Sequence, residues 1–350
     1  MSLHETYIQR CFDLAQLGAG NVAPNPMVGA VLVYNDRIIS EGWHQQYGQA
    51  HAEVNCINAV ESLDLELIKR STMYVSLEPC AHFGKTPPCA DLIIERQIPT
   101  VIVACKDSYD EVDGKGIQKL RSAGIEVITP LLEKDALELN KRFFLFHSRQ
   151  RPFIILKWAQ TANGKIGNTD AARLMISNEV TNREVHKWRS EEASILVGTN
   201  TALKDDPSLT VRHWSGSNPV RLVIDKELKL PRTLHLLDGV VKTIVFNSSL
   251  DETIGETIYY KIRQEGSFLA EVMKALYLLK IQSVLVEGGS SLLQSFINEG
   301  LWDEARVITN TSLEITWGIS APVLVNASEI STTRILFDTI RIYKPFKPSS

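Results

Sequence analysis

At 350 residues, with 44% hydrophobic and 22% charged side chains, the chain suits two ordinary globular domains and is neither disordered nor collagen-like. The 37 basic and 41 acidic residues leave a net charge of −4, which excludes a broad grip on nucleic acid or an anionic membrane but leaves room for a local basic pocket around one phosphate. Five cysteines are too few for a disulfide framework, the start lacks a signal peptide, and no apolar run nears the ~20 residues that span a bilayer, so a cytoplasmic protein with reduced thiols is expected.

In chain order, Tyr7 to Leu17 shares one helical apolar face that Gly18 ends. Met27–Val33 and Arg37–Gly42 read as strands joined by the turn pair Asn35-Asp36. A helix over His51–Ser62, a strand over Thr72–Leu77, a helix over Ala90–Gln97 and a strand over Thr100–Cys105 follow. Helices over Gly116–Ala123 and Glu133–Phe144 then flank a strand at Glu126–Thr129. This alternation predicts a mostly parallel sheet with helices on both faces. The polar stretch 147–152, closed by Pro152, divides residues 1–147 from residues 148–350. Beyond it the alternation restarts: strands at Phe153–Trp158, Ser194–Val197, Val220–Ile224, Thr243–Phe246, Ser283–Val286 and Ala305–Thr309, helices at Glu179–Arg189, Phe268–Leu279 and Ser291–Asn298. No internal repeat is visible, so the halves are two unlike α/β domains.

The chemistry of the first half rests on His51-Ala52-Glu53, Pro79-Cys80 and Cys89. One imidazole and two thiolates give three ligands for Zn2+ and leave its fourth tetrahedral position for water, the layout of a catalytic rather than a structural site. His51 and Cys89 both fall at expected helix starts, where the helix dipole favours a thiolate at Cys89. Glu53, two residues from His51 on a helix, points to a different side and reaches over the ion to carry a proton. Hydrolytic deamination needs these parts: activated water to attack an amidine carbon, and an acid to protonate departing ammonia. Cys11, Cys56 and Cys105 fall on apolar positions and are expected in the core.

This pattern resembles the zinc-dependent cytidine deaminase signature, although eight residues separate Cys80 from Cys89 where two are usual. The segment Pro79-Cys80-Ala81-His82-Phe83-Gly84-Lys85-Thr86-Pro87-Pro88-Cys89, with Asn25-Pro26-Met27-Val28-Gly29-Ala30 and His44, is similar to the deaminase of bacterial riboflavin biosynthesis. The resemblance implies a cytidine-deaminase-like three-layer α/β/α domain with Asn25, His44 and His82 at the substrate. The family's usual Asp-Pro-Asn-Pro is replaced here by Asp107-Ser108-Tyr109-Asp110.

In the second half, Val284-Leu285-Val286-Glu287-Gly288-Gly289-Ser290-Ser291-Leu292 runs a buried strand into a glycine turn and a helix start, suited to a phosphate. Ser290 and Ser291 are placed to cap that helix or to donate to the same phosphate. With Lys157–Ile166, Glu184–Arg189 and Val197–Arg212, the order resembles the reductase half of the same bifunctional riboflavin family, whose fold is dihydrofolate-reductase-like. The resemblance implies that Ala159, Thr201, Asp205, Lys226 and Gly289, Ser290, Ser291, Leu292, Leu293, Gln294 and Ser295 face NADPH. It places Arg173, Arg189, Leu209, Arg212 and Glu287 at the substrate, a phosphorylated pyrimidine, and implies a homodimer. Thr161-Ala162-Asn163, Arg173 and Met175 depart from the family pattern. A deaminase of other bases, or a deaminase fused to a degenerate reductase domain, are the competing readings.

Overall fold

The structure, a computed structural model, describes residues 2–83, 87–107, 114–167, 174–263 and 265–346, and divides into two compact units, Met1–Arg149 and Gln150–Ser350. Unit 1 opens with α1 (Leu3–Gln16), whose first turn is closed by a reciprocal capping box between Ser2 and Glu5. Strands β1 (Gly29–Tyr34) and β2 (Arg37–Trp43) form a hairpin. Its two turn residues, Asn35 and Asp36, take φ of 46° and 61°, a left-handed pair that their short polar side chains tolerate. Then come α2 (Ala52–Asn58), a 3₁₀ run over Ser62–Arg70, β3 (Thr72–Val75), α3 (Cys89–Glu95) and β4 (Thr100–Val103). The unit closes with α4 (Lys115–Ser122), β5 (Glu126–Ile128), α5 (Glu133–Leu139) and α6 (Lys141–Arg149).

The sheet runs β2-β1-β3-β4-β5. Tyr7, Ile8, Cys11 and Phe12 of α1 pack with Val31, Val33, Tyr74 and Ile102 on one face. Cys56, Ile57, Ile93, Ile117 and Leu120 pack with Leu32, Met73, Val75 and Val101 on the other, giving three layers. Only β3, β4 and β5 run parallel; β1 is antiparallel to both of its neighbours, so the expected mostly parallel sheet is mixed here. The helix expected over His51–Ser62 stops at Asn58. The one expected over Glu133–Phe144 is two helices, because Asn140 leaves the helical pattern to bond the Met27 backbone through both ends of its amide (2.8 and 2.9 Å). That clamp also fixes the loop carrying Asn25.

Unit 2 contains β6 (Phe153–Thr161), β7 (Lys165–Gly167), α7 (Glu179–Glu191), β8 (Ser194–Gly198), α8 (Thr199–Asp205) and β9 (Val220–Ile224). Next are β10 (Thr243–Asn247), β11 (Glu252–Ile254), β12 (Thr257–Lys261), α9 (Phe268–Leu278), β13 (Ser283–Val286), α10 (Ser290–Asn298) and β14 (Glu304–Asn310). The last strands are β15 (Ile319–Ser320), β16 (Ala327–Ile335) and β17 (Asp338–Pro345). Ten strands form one sheet in the order β11-β12-β10-β9-β8-β13-β6-β14-β17-β16. Ile154, Leu156 and Trp158 of β6 join α9 and α10 in the larger core, which sends Lys157 and Ala159 to the opposite face. The β16–β17 hairpin lies beyond the last strand expected from sequence. β16 is exposed along almost its whole length and rich in Ser, Thr and Glu, so it carries no apolar alternation to read. Among the described residues no helix is long and apolar enough to cross a membrane.

Candidate active sites

His51 is the N-cap of α2, with extended backbone (φ −74°, ψ 168°) and no side-chain capping bond, so its ring is not committed to the helix. Cys89 is the first residue of α3, set there by Pro88. The His51 Nδ1 lies 3.6 Å from Cys80 Sγ and 3.4 Å from Cys89 Sγ, and the Cys89 backbone N–H donates to Cys80 Sγ at 3.3 Å. Two bonds of about 2.0 and 2.3 Å meeting at a tetrahedral angle hold their ligand atoms about 3.6 Å apart, so this donor set fits zinc. Glu53 is buried beside both thiols and the His51 ring. His51 stands at the cap of α2 and Glu53 on its second residue, and both side chains lie against the two thiols.

The electrostatics point the same way. Burial, reinforced by the Cys80 thiolate, pushes the Glu53 carboxyl up to about 7. Hydrogen bonding from Cys89, with His51 adding to it against burial, draws Cys80 down to about 4. Cys89 is pushed up, first by its bond to Cys80. Two thiols and a carboxyl crowded into one buried site cannot all ionise unless a cation sits among them.

His44 is buried, and burial holds it below the ordinary histidine range. Its Nδ1 lies 3.0 Å from the Ala50 carbonyl, which only accepts, so that nitrogen carries the proton. Its Nε2 then accepts from the Asn25 amide at 3.2 Å, and the ring stands edge-on to His51 at 5.3 Å. Asn25 and His44 are thus brought together beside the metal ligands. His82 is exposed on the segment after Cys80, and Lys85 lies outside the described residues.

Sequence reasoning missed Glu78. Its buried carboxylate accepts from the N–H groups of Gly116 (2.9 Å) and Ile117 (3.1 Å) through one oxygen, and of Gly114 (3.1 Å) and Asp107 (3.2 Å) through the other. Gly116 belongs to the same junction: a Cβ there would lie 1.9 Å from the Pro79 carbonyl oxygen. Gly116→Ala is therefore expected to cost about 3 kcal/mol or more, read as a lowered melting transition of unit 1.

In unit 2 the expected cofactor residues gather at the carboxyl ends of adjacent parallel strands, where open α/β sheets bind their ligands. Thr201 in α8, after β8, accepts from the Gly289 N–H at 2.9 Å and so pins the turn from β13 into α10. Gly289 caps α10 with no side-chain bond, and Ser295 donates instead to the Ser291 carbonyl; the expected capping by Ser290 or Ser291 is not made. Lys226 follows β9 with its ammonium 4.5 Å above the Phe268 ring, Ala159 lies near the end of β6, and Asp205 is exposed at the end of α8. Leu292, Leu293 and Gln294 lie on the first turns of α10.

Of the expected substrate residues, Arg189 and Glu287 meet as a partly buried two-pronged pair, Nε–Oε1 2.8 Å and Nη2–Oε2 2.9 Å. Lys157, which the sequence reading did not select, adds its ammonium at 3.3 Å. Burial alone would raise Glu287; the Arg189 and Lys157 charges override it and hold the carboxyl well below the usual range. Arg212 receives its backbone anchor from His186 Nδ1, which accepts its N–H at 3.0 Å, and Leu209 is buried at φ 51°. Arg183, Arg212, His213 and Trp214 line a cavity of about 680 Å³ beside them. Asn163 is spent on the turn itself, bonding Thr161 and the Ile315 carbonyl, and Met175 is exposed. Arg173 lies outside the described residues.

Residues 1–105 match the cytidine and deoxycytidylate deaminase zinc-binding region, and residues 152–314 match the RibD C-terminal domain. A riboflavin biosynthesis protein RibD of Aquifex aeolicus is 38% identical over 310 residues, 87% of this chain and 86% of that one. The chain belongs to the RibD family. The Escherichia coli RibD is 32% identical over 322 residues, covering 87% of this chain and 86% of its own. A crystal structure of a diaminohydroxyphosphoribosylaminopyrimidine deaminase/5-amino-6-(5-phosphoribosylamino)uracil reductase from Thermotoga maritima superposes with a TM-score of 0.89 at 33% identity, covering 98% of this chain and 99% of that one. An Acinetobacter baumannii RibD gives 0.89 at 29%. The chain is a bifunctional riboflavin-biosynthesis enzyme, a RibD deaminase domain followed by a RibD reductase domain, with zinc and NADPH as cofactors.

Proposed function

We propose that unit 1 hydrolyses the amino group of 2,5-diamino-6-(5-phosphoribosylamino)pyrimidin-4-one and that unit 2 reduces the ribosyl chain of the resulting 5-amino-6-(5-phosphoribosylamino)uracil to ribityl. The observation that carries this reading is the convergence of His51, Cys80 and Cys89 with buried Glu53. His51, Cys80 and Cys89 would hold the zinc, which would bring the pKa of a water near neutrality and so supply a nucleophile. Glu53 takes the proton from that water and returns it to the departing amino nitrogen. With its amide nitrogen committed to His44, Asn25 offers its carbonyl oxygen to a donor on the pyrimidine edge, and the exposed His82 is the further substrate contact.

In unit 2, NADPH supplies the hydride. The N–H groups opening α10, with Ala159, Thr201, Asp205 and Lys226, hold it. Glu287 and Lys157 face the sugar chain. Arg189, Arg212 and Leu209 form the remaining substrate wall, and the arginines answer its phosphate. The clustering of Lys157, Arg189 and Glu287 in a largely solvent-excluded site favours a working reductase over a degenerate one, since a site without function gains nothing by desolvating three charges. We further place the enzyme in the cytoplasm as a homodimer acting on a free small molecule, bound to neither nucleic acid nor membrane. Ammonia release from the diaminopyrimidinone, followed by oxidation of NADPH only once that product has formed, is the expected result; NADPH oxidation absent with the product supplied would return the degenerate reading. Cys89→Ser is expected to weaken zinc by more than the 10–100-fold that losing an outer hydrogen-bond partner costs, measured by metal content after dialysis.

A further inference from the structure

Four backbone N–H groups, three of them buried, converge on one side chain that the reaction itself does not use. The first turn of α4 needs a cap, since the early N–H groups of a helix have no internal partner. Its N-cap residue is Gly114, at φ 81°, which has no side chain with which to supply one. Glu78 supplies it through space: one oxygen takes the N–H groups of Gly116 and Ile117, the second and third residues of α4, and the other takes those of Gly114 and Asp107. These partners lie 29 to 39 residues from Glu78 in sequence. A carboxylate at a helix N-terminus is also favoured by the helix dipole.

Glu78 stands two residues before Cys80. The main chain between them is pressed against the same helix start, where Gly116 leaves just enough space for the Pro79 carbonyl. On its other side Cys80 is held by α3: its carbonyl accepts from the Ala90 N–H at 3.1 Å and its sulfur accepts from the Cys89 N–H at 3.3 Å. The Cys80 backbone is therefore gripped from two helices, and Glu78 is the grip on the α4 side.

We propose that Glu78 is a positioning residue for the metal centre: by capping α4 from the β3-to-Cys80 connection, it locks the Cys80 thiolate in the place where it meets His51 and Cys89. This rests on the reading of those three residues as the zinc ligands. Glu78→Gln keeps the shape but sets an NH₂ group against two of the four N–H donors. The test loads the full-length wild type and E78Q with zinc, measures zinc transfer to a chromogenic chelator, and assays both activities. Expected are zinc transfer about tenfold faster or more, deaminase kcat about tenfold lower with KM within twofold, reductase activity within twofold of wild type as the sign that unit 2 is intact, and a retained cooperative melting transition of unit 1 as the sign that the deaminase unit is folded. A lowered melting temperature with unchanged zinc transfer and kcat would make Glu78 a helix cap alone and overturn the proposal. A wild type that retains no zinc would instead overturn the ligand reading. If E78Q does not accumulate folded, Glu78→Asp takes its place; it keeps the charge, shortens the reach by one methylene, and is expected to speed zinc transfer in the same way.

Discussion

Glu53→Gln is expected to cut ammonia release by roughly 10³-fold, within the 10²–10⁴ that a positioned acid–base group contributes, while zinc content and NADPH oxidation stay at wild-type levels. The substitution keeps the shape and the hydrogen-bonding reach of the side chain and removes only its capacity to take up and return a proton. Glu53 is buried on the second residue of α2, so no bulk water stands ready to relay the proton in its place. Losing the charge should not loosen the fold, since an amide in a buried site is less costly to desolvate than a carboxylate. The measurement is ammonia release with the diaminopyrimidinone, beside metal content and a reductase assay supplied with the deaminated product. Ammonia release within tenfold of wild type would assign the proton transfer to another group. Loss of zinc along with activity would make Glu53 a support of the metal site and not its proton carrier.

The parts of this site that sequence could reach are those that local spacing and residue type encode. His51, Cys80 and Cys89 are rare residue types at characteristic intervals, and the hairpin at Asn35-Asp36 is a two-residue signal. Glu78 was out of reach because its four partners are backbone N–H groups, which every residue but proline carries and no sequence pattern marks. The break of the expected helix at Asn140 was hidden for the same reason: the cause is the backbone of Met27, more than a hundred residues earlier. The outer strands of unit 2 were unread because β11 and β16 face solvent, and a strand without a buried face leaves no alternation. Lys157 did leave a signal. A lysine inside the apolar run Phe153–Ala159 of a strand flanked on both sides by parallel neighbours is anomalous, because such strands read as continuous hydrophobic runs.

That anomaly leads to the second large effect. Lys157→Met is expected to lower reductase turnover by about 10²-fold or more and to leave deamination unchanged. Hydride addition at the sugar carbon puts a negative charge on the atom bonded to it, and that atom must be met by a donor. Lys157 projects from β6 on the face that carries Ala159, and Glu287 holds its ammonium at the end of β13. Methionine fills nearly the same volume without the charge. Glu287 still keeps its two-pronged bond to Arg189, so the buried carboxylate is not stranded. Removing Glu287 instead would leave two cations facing each other, and breaking a buried pair in that way costs about 3–5 kcal/mol; its loss of activity could not be told from loss of fold. K157M separates the two. Single-turnover decay of NADPH absorbance reads the chemical step, and NADPH affinity is read in parallel by fluorescence. A slow hydride step with normal NADPH affinity makes Lys157 the donor to the developing charge. Turnover within threefold of wild type would reduce Lys157 to a counter-ion that Arg189 can replace.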